Sequence, residues 1–76
     1  MTVQTFIENF AEALEMSPGE LSPQSEFKEL ANWDSLAALT VIAMTDEKYN
    51  VAVGGADLEQ SRTLQELWDR LAQRIA

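Results

Sequence analysis

The stretch from Asp34 to Tyr49 reads DSLAALTVIAMTDEKY and contains neither glycine nor proline. Asp34 or Ser35 is suited to cap the start of a helix, because a side-chain oxygen at that point can accept a free backbone N–H group. Asn50 is expected to end the helix. We therefore expect a helix of about four turns here, the second of the chain.

The side chains of this second helix divide into two sides at about 100° per residue. The side expected to face the core carries Ala38, Val41, Ile42, Thr45 and Tyr49. The other side, apolar toward the start and acidic toward the end, carries Leu36, Leu39, Thr40, Ala43, Asp46 and Glu47. Since only one side can face the core of so small a domain, this second set either is exposed and docks another protein or covers the loop beneath it. Periodicity alone does not choose between the two.

The first segment, from Thr2 to Met16, is expected to be an amphipathic helix with Thr2 as its N-cap. Apolar residues recur at spacings of three and four, and glutamates occupy the opposite side. The apolar set is Val3, Phe6, Ile7, Phe10, Ala13 and Leu14, and the acidic set is Glu8, Glu12 and Glu15. Ser17-Pro18-Gly19 should stop this helix. The stretch to Trp33 is then expected to be a long ordered loop, pinned by Leu21, Phe27 and Leu30.

Two more helical segments are expected after Asn50. One is a weak turn over Asp57 to Gln60. The other runs from Thr63 to the C-terminus, because Thr63 and Glu66 have the spacing of a capping box. Its buried side carries Leu64, Leu67, Trp68, Leu71 and Ile75, and Arg70 and Arg74 lie near the negative end of its dipole. The sequence thus predicts an all-α fold: a small four-helix bundle of three main helices plus one short helix, with a long loop between the first two helices and one domain over residues 1–76.

Composition excludes several classes of function. The chain has no cysteine and no histidine, which removes disulfides, Cys/His zinc sites and histidine-activated nucleophiles. No metal site is expected. Thirteen acidic against five basic residues give a net charge of −8, the wrong sign for binding nucleic acid or an anionic membrane. No signal peptide or membrane span is expected, and we expect a cytoplasmic protein. Asp46 and Glu47 diverge by about 100° on a helix, so an enzyme acting with its own carboxylates has little support.

The tripeptide Asp34-Ser35-Leu36 is the remaining candidate for chemistry. A serine at a helix N-terminus lies where free backbone amides and the positive end of the helix dipole favour a phosphate ester on its oxygen. Ordinary helix capping explains the same residues equally well, since Asp and Ser are common at helix starts. The tripeptide alone leaves both interpretations open.

With its surroundings, this motif resembles the acyl carrier protein family, in which the serine of an Asp-Ser-Leu motif at the start of the second helix bears 4'-phosphopantetheine. The resemblance covers nearly the whole chain and needs no insertions. Besides the first helix and the motif, it rests on four segments: Glu26-Phe27-Lys28-Glu29-Leu30, Asp46-Glu47-Lys48-Tyr49, Val51-Ala52-Val53 and Thr63-Leu64.

The resemblance implies that Ser35, flanked by Asp34 and Leu36, carries 4'-phosphopantetheine, transferred from coenzyme A by a separate phosphopantetheinyl transferase. The protein is then expected to be a monomeric carrier and not an enzyme, holding an acyl group as a thioester on the arm. Its partners are the transferase, an acyl- or aminoacyl-loading ligase, and a downstream acyltransferase or synthase with a basic docking surface. The implied docking face is Leu36, Leu39, Thr40, Ala43, Asp46 and Glu47.

Departures from the family pattern bear on the cargo. Ala37, Thr40 and Ala43 thin the acidic pattern usual in carriers of general fatty-acid synthesis, which favours a carrier of a specialised biosynthetic or modification pathway. Trp33, directly before the motif, either packs over the loop or forms part of the surface that a dedicated loading enzyme contacts. The Gly-Gly pair found before the serine in many peptidyl carriers is absent, yet an aminoacyl cargo stays open. An unmodified helical interaction module of the same fold is the other hypothesis.

Overall fold

In the computed structural model, which describes residues 2–75, the chain forms four α-helices joined by loops. They are α1 (Val3–Ala13), α2 (Ser35–Tyr49), α3 (Gly55–Gln60) and α4 (Leu64–Ala72). Two short 3-10 turns, Pro18–Glu20 and Phe27–Glu29, lie in the long loop between α1 and α2. The predicted all-α bundle of three main helices and one short helix is confirmed.

Local capping sets most of the helix starts. The Thr2 side chain accepts the Thr5 N–H at 3.2 Å, as predicted for α1. At the start of α4, Thr63 Oγ1 accepts the Glu66 N–H at 3.2 Å. The predicted reciprocal half of that capping box is wrong by one residue, because Glu66 Oε1 accepts the N–H of Arg62 at 2.9 Å. The glutamate thus fastens the chain one residue before the helix cap.

Three predicted helix boundaries differ from the structure. The first helix was expected to reach Met16 but ends at Ala13. Glu15 adopts φ 57°, and the Met16 N–H donates back to the Ala11 carbonyl at 2.9 Å, so a left-handed residue closes the helix. The short helix α3 begins at Gly55, two residues before the predicted Asp57. The last helix ends at Ala72 and continues only as a turn, while Ala76 lies outside the described residues.

Aromatic side chains form the centre of the core. Phe6 is fully buried, and its ring centroid lies 6.2 Å from that of Phe10, 6.2 Å from that of Tyr49 and 5.5 Å from that of Trp68. These contacts join α1 to both α2 and α4. The Asn9 side chain adds a hydrogen bond of 2.8 Å to the Tyr49 hydroxyl. Fully buried aliphatic side chains complete this core: Ile7, Val41, Leu64, Leu67 and Leu71.

The core side of α2 differs from the prediction in phase. Val41, Thr45 and Tyr49 are buried as expected. Ala38 and Ile42 are half-buried and pack against the edge of the core, and Ala37 and Met44, which the prediction left out, are buried. The buried arc of α2 is turned by part of a residue step from the predicted one, and an opening lies beside Ala38 and Ile42, toward α3. A helix that is apolar on most sides does not fix this angle by its own pattern.

A carboxylate on α3 fastens this short helix to α4. Asp57 Oδ2 accepts the Gly54 N–H at 3.0 Å, which caps the start of α3. Arg74 contacts both oxygens of the same carboxylate, and Arg70 lies 3.2 Å from one of them. Hydrogen bonds from Arg74, and then from Gly54 and Arg70, hold the pKa of the Asp57 carboxyl far below its ordinary value, although partial burial acts in the opposite direction. Since a six-residue helix is not stable alone, α3 depends on such contacts.

Candidate functional site

The candidate site lies where the long loop enters α2. This loop is pinned as predicted, with Leu21 and Phe27 buried and Leu30 half-buried. It is also tied to the start of α4, because the Leu64 N–H donates to the Ser25 carbonyl at 3.1 Å. The loop therefore delivers the chain to the start of α2 in a fixed position.

Ser35 is the first residue of α2, and the cap of this helix is its neighbour. Asp34 Oδ1 accepts the Ala37 N–H at 2.8 Å. The Ser35 side chain is exposed, and no hydrogen bond among residues 2–75 uses its hydroxyl. Capping therefore explains Asp34 and leaves the Ser35 hydroxyl available for chemistry.

The surroundings of this hydroxyl suit a phosphate ester. Within the described part of the chain, the N–H groups of Ser35 and Leu36 have no acceptor, as is usual in the first turn of a helix. These N–H groups, with the positive end of the dipole of α2, attract a negatively charged oxygen. A phosphodiester on the Ser35 oxygen thus fits the donors that are present.

Trp33 packs inward, as one of the two interpretations of this residue predicted. Its ring is nearly parallel to that of Phe10, at 7° and a centroid distance of 6.2 Å. It meets the ring of Phe27 edge-on at 5.2 Å. Trp33 therefore covers the end of the core directly before Ser35, and a role in partner binding remains a prediction.

An apolar groove begins at Ser35 and runs between α2 and α3. It has a volume of about 580 Å³. Its lining consists of Lys28, Trp33, Ser35, Ala38, Leu39, Ile42, Gly55, Leu58 and Glu59. The half-buried Ala38 and Ile42, which pack against the edge of the core, also form one wall of this groove.

The outer side of α2 is exposed. Leu36 and Leu39 are 71% and 62% exposed, and Ala43, Asp46 and Glu47 are exposed as well. Thr40 is half-buried, and its hydroxyl donates to the Leu36 carbonyl at 2.9 Å. The alternative in which the two leucines cover the loop is wrong. Two neighbouring exposed leucines on one helix are unusual for a surface that meets only water.

Sequence reasoning missed the opposite wall of the groove and the residue at its rim. Leu58 and Glu59 of α3 and Lys28 of the loop all line the groove, although none stands near Ser35 in the sequence. Leu58 is buried. The one sequence feature that could have indicated its place in the groove wall was its position in the helical turn predicted over Asp57 to Gln60. For Lys28, no local pattern indicated the contact, because its partner on α3 is 31 residues away.

Across residues 2–75, no group of three His, Cys, Asp or Glu side chains is arranged to hold a metal ion. None of the helices in that part of the chain combines the length and the apolar character that crossing a membrane requires.

A helix bundle that presents an unpaired serine hydroxyl at a helix N-terminus, beside an apolar groove, has the features of a carrier protein. Comparison with known proteins agrees, since the family described as "Phosphopantetheine attachment site" matches residues 4–71. A curated acyl carrier protein of Thermosynechococcus vestitus (strain NIES-2133 / IAM M-273 / BP-1) is 27% identical over 66 residues, which cover 87% of this chain and 82% of that protein. The chain belongs to the acyl carrier protein family.

Membership of this family defines the cofactor and the general role. The cofactor is 4'-phosphopantetheine, held covalently, and family members are carriers rather than catalysts. They meet phosphopantetheinyl transferases and acyl-handling enzymes. The predicted cofactor is thereby confirmed.

Proposed function

We propose that Ser35 is the attachment site of 4'-phosphopantetheine and that the protein presents an acyl thioester, held on this arm, to partner enzymes of a specialised biosynthetic or modification pathway. One observation carries the proposal: the exposed Ser35 hydroxyl is unpaired among the described residues, while Asp34 caps the helix in its place. A serine that capped α2 would have its oxygen turned toward backbone N–H groups and away from an incoming enzyme.

Each part of the site has a role in this function. The Ser35 oxygen forms a bond to the phosphorus of the phosphopantetheinyl group, the bond from that phosphorus to the adenylated part of coenzyme A breaks, and the serine proton passes to a base of the transferase. The N–H groups at the start of α2 then face the new phosphodiester. When bound, the arm supplies the thiol that holds the acyl group.

The groove supports an apolar acyl cargo. Its walls are largely aliphatic and aromatic, so an acyl chain that enters removes apolar surface from water and is shielded from hydrolysis. The sequence contains no histidine and no cysteine, so it offers no histidine to activate Ser35 as a nucleophile. The sparse acidic pattern of α2 supports a specialised pathway, because only Asp46 and Glu47 lie on its exposed outer side beyond Asp34.

Incubation with coenzyme A, magnesium and a broad-range phosphopantetheinyl transferase tests the attachment site. Intact-mass measurement should show one added phosphopantetheinyl group, and peptide mapping should place it on Ser35. Ser35→Ala should stay at the unmodified mass, while Ser22→Ala, which removes an exposed loop serine, should be modified normally. An unmodified wild-type mass with several transferases would favour the helical interaction module and reject the carrier function for Ser35.

Mass spectrometry of the protein isolated from its native cell identifies the cargo. An acyl mass on the arm supports the proposal as stated. An amino acid in its place would assign the protein to aminoacyl carriers.

A further inference from the structure

Lys28 places a positive charge at the rim of the groove that begins at Ser35. Its ammonium group donates to the Glu59 main-chain carbonyl at 2.6 Å, across from the loop to the last turn of α3. This hydrogen bond fixes where the charge stands and uses one of the three ammonium donors. Two donors remain for another acceptor.

Within residues 2–75, no carboxylate lies at ion-pair distance from the Lys28 ammonium. All three arginines of the chain do contact carboxylates: Arg62 contacts Glu26, and Arg70 and Arg74 contact Asp57. Lys28 is therefore a cation without a charged partner in a protein of net charge −8. Its charge would be better satisfied by an anionic oxygen in the groove than by the neutral carbonyl alone.

The other walls of the groove strengthen such a contact. Trp33, Ile42 and Leu58 offer no charge, and they reduce the water around any group that enters. Coulomb attraction at such a partly dehydrated place exceeds that at an open surface. Glu59 is the other ionisable residue of the lining, and its negative charge disfavours an anion on its own side of the groove.

We propose that Lys28 binds an anionic oxygen of the bound arm or of its cargo. This proposal rests on the attachment of the arm to Ser35. Two sources offer the required oxygen: the phosphodiester on Ser35, and a carboxylate on the acyl group. In the second case the protein prefers a carboxylated acyl group to a neutral one of the same length.

Four forms of the protein separate these sources. They are the unmodified protein, the protein with the arm alone, and the protein loaded with butyryl or with succinyl groups by a broad-range transferase acting on the corresponding coenzyme A thioesters. The two acyl groups have equal carbon number and differ in the terminal carboxylate. Intact mass is measured first, so a failure of arm attachment is seen before any effect of Lys28.

The first readout is nuclear magnetic resonance of isotope-labelled lysine. The chain has two lysines, Lys28 and Lys48, and Lys48 is exposed and does not line this groove. We expect the ε-methylene signal of Lys28 to shift while that of Lys48 stays. A shift on addition of the arm alone assigns the phosphodiester, and a shift only in the succinyl form assigns the carboxylate.

The second readout is thermal stability, with Lys28→Met against the matched control Lys48→Met. If the carboxylate is the partner, this partly exposed ion pair should place Tm of the succinyl form about 2 to 4 °C above that of the butyryl form. If the phosphodiester is the partner, the form with the arm alone should exceed the unmodified protein by the same amount. Salt should reduce either difference. The difference should persist in Lys48→Met and vanish in Lys28→Met. Each comparison is made between forms of the same variant, so the lost hydrogen bond to Glu59 cancels.

Two results overturn the proposal. One is a Lys28 signal that is the same in all four forms while mass confirms the load, which removes the role of Lys28 and leaves the carrier function intact. The other is an unmodified mass throughout, which removes both the carrier function and the inference built on it.

Discussion

The guanidinium group of Arg74 holds both carboxylate oxygens of Asp57, with Nη1 at 2.8 Å from Oδ2 and Nη2 at 2.7 Å from Oδ1. The two residues lie 17 positions apart, on α3 and just beyond the end of α4. Because α3 forms one wall of the groove beside Ser35, this pair fixes the position of that wall. The clamp formed by Asp57, Arg70 and Arg74 thus connects stability to the shape of the candidate site.

Asp57→Asn should lower the free energy of unfolding by about 1 to 2 kcal/mol, because it weakens a helix cap and partly exposed ion pairs together. Urea unfolding measures the change. Asp69→Asn is the matched control, since Asp69 is exposed and its carboxylate accepts a hydrogen bond only from the Gln65 side chain among the described residues. Arg74→Gln should add little once Asp57 is replaced, and fully additive effects in this double-mutant cycle would contradict the clamp.

Acidification should remove the contribution of Asp57 only at low pH. Its pKa in the folded state is lowered from the unfolded value of about 3.9, so the stabilisation is fully present above that value and is lost as pH falls toward the folded pKa. The stability difference between wild type and Asp57→Asn should stay constant from about pH 7 to 5 and shrink below about pH 4. A difference that already shrinks between pH 7 and 5 would disagree with the direction of the shift.

Charge repulsion gives a second dependence on solution conditions. With a net charge of −8, added salt should raise Tm, since screening relieves repulsion between the carboxylates. Thermal unfolding between about 10 and 150 mM salt measures this effect, because the Debye length falls from roughly 30 to 8 Å over that range. A Tm that falls with salt would mean that attractive pairs outweigh repulsion.

Substitutions at Asp34 and at Ser35 should affect stability differently, because only Asp34 caps α2. Asp34→Ala should cost about 1 kcal/mol, because it leaves the Ala37 N–H without its acceptor. Ser35→Ala should change stability by less than about 0.5 kcal/mol, since its hydroxyl has no partner in the described residues. Asp34→Asn, which keeps a capping oxygen, should retain most of the stability. Collapse of the fold in Ser35→Ala would make this serine structural.

The exposed side of α2 should control loading in two distinguishable ways. Leu39→Ala should slow loading of the acyl group by the partner ligase, because apolar contact with that enzyme is lost. This defect should persist at high salt. Glu47→Lys should slow loading through reversed charge, and this defect should shrink as ionic strength rises. Both side chains are exposed, so circular dichroism should show unchanged folding.

Val41→Ala on the same helix is the contrasting variant for this series. Val41 is fully buried, and its truncation should lower stability by about 1 to 3 kcal/mol. Normal rates for Leu39→Ala and Glu47→Lys would move the docking surface away from this side of α2.

Trp33 should report the entry of cargo. The chain has two tryptophans, so Trp68→Phe leaves Trp33 as the single indole, at the start of the groove. Loading of an apolar acyl group should move its emission to shorter wavelength relative to the arm alone, because water is displaced from its ring. In Trp33→Phe, the remaining Trp68 contacts Phe6 and Tyr49 and should not respond. An unchanged Trp33 spectrum would place the cargo outside the groove.

Sequence reasoning succeeded where the determining contacts are local. The cap at Asp34 acts over three residues, and α2 ends at Asn50 as expected, with this residue in the left-handed conformation. It failed where the decision is made by tertiary contacts. The early end of α1 depends on Glu15 adopting φ 57°, a conformation that its residue type does not favour.

The candidate site shows the same division. The motif pointed to Ser35, and helical spacing placed Leu36 and Leu39 on one side of α2 but left open whether they are exposed. The groove could not be predicted from local patterns, because its far wall and Lys28 come from other segments of the chain. Ile42 has the helical position expected of a core residue, and no local pattern indicates that it also lines a groove. Whether an aliphatic side chain of α2 contacts the core or a groove depends on how far α3 stands from α2, and the clamp that holds α3 joins residues 13 and 17 positions apart.

Leu39 belongs to both surfaces of α2, since it lines the groove and is 62% exposed on the outside. A partner that docks on the exposed side of α2 at Leu39 also contacts the rim of the groove between α2 and α3. Under the proposed function, an acyl group in the groove lies against the same leucine that the partner contacts. Contact with Leu39 would therefore let a partner enzyme distinguish the acylated carrier from the unacylated one before its active site reaches the thioester.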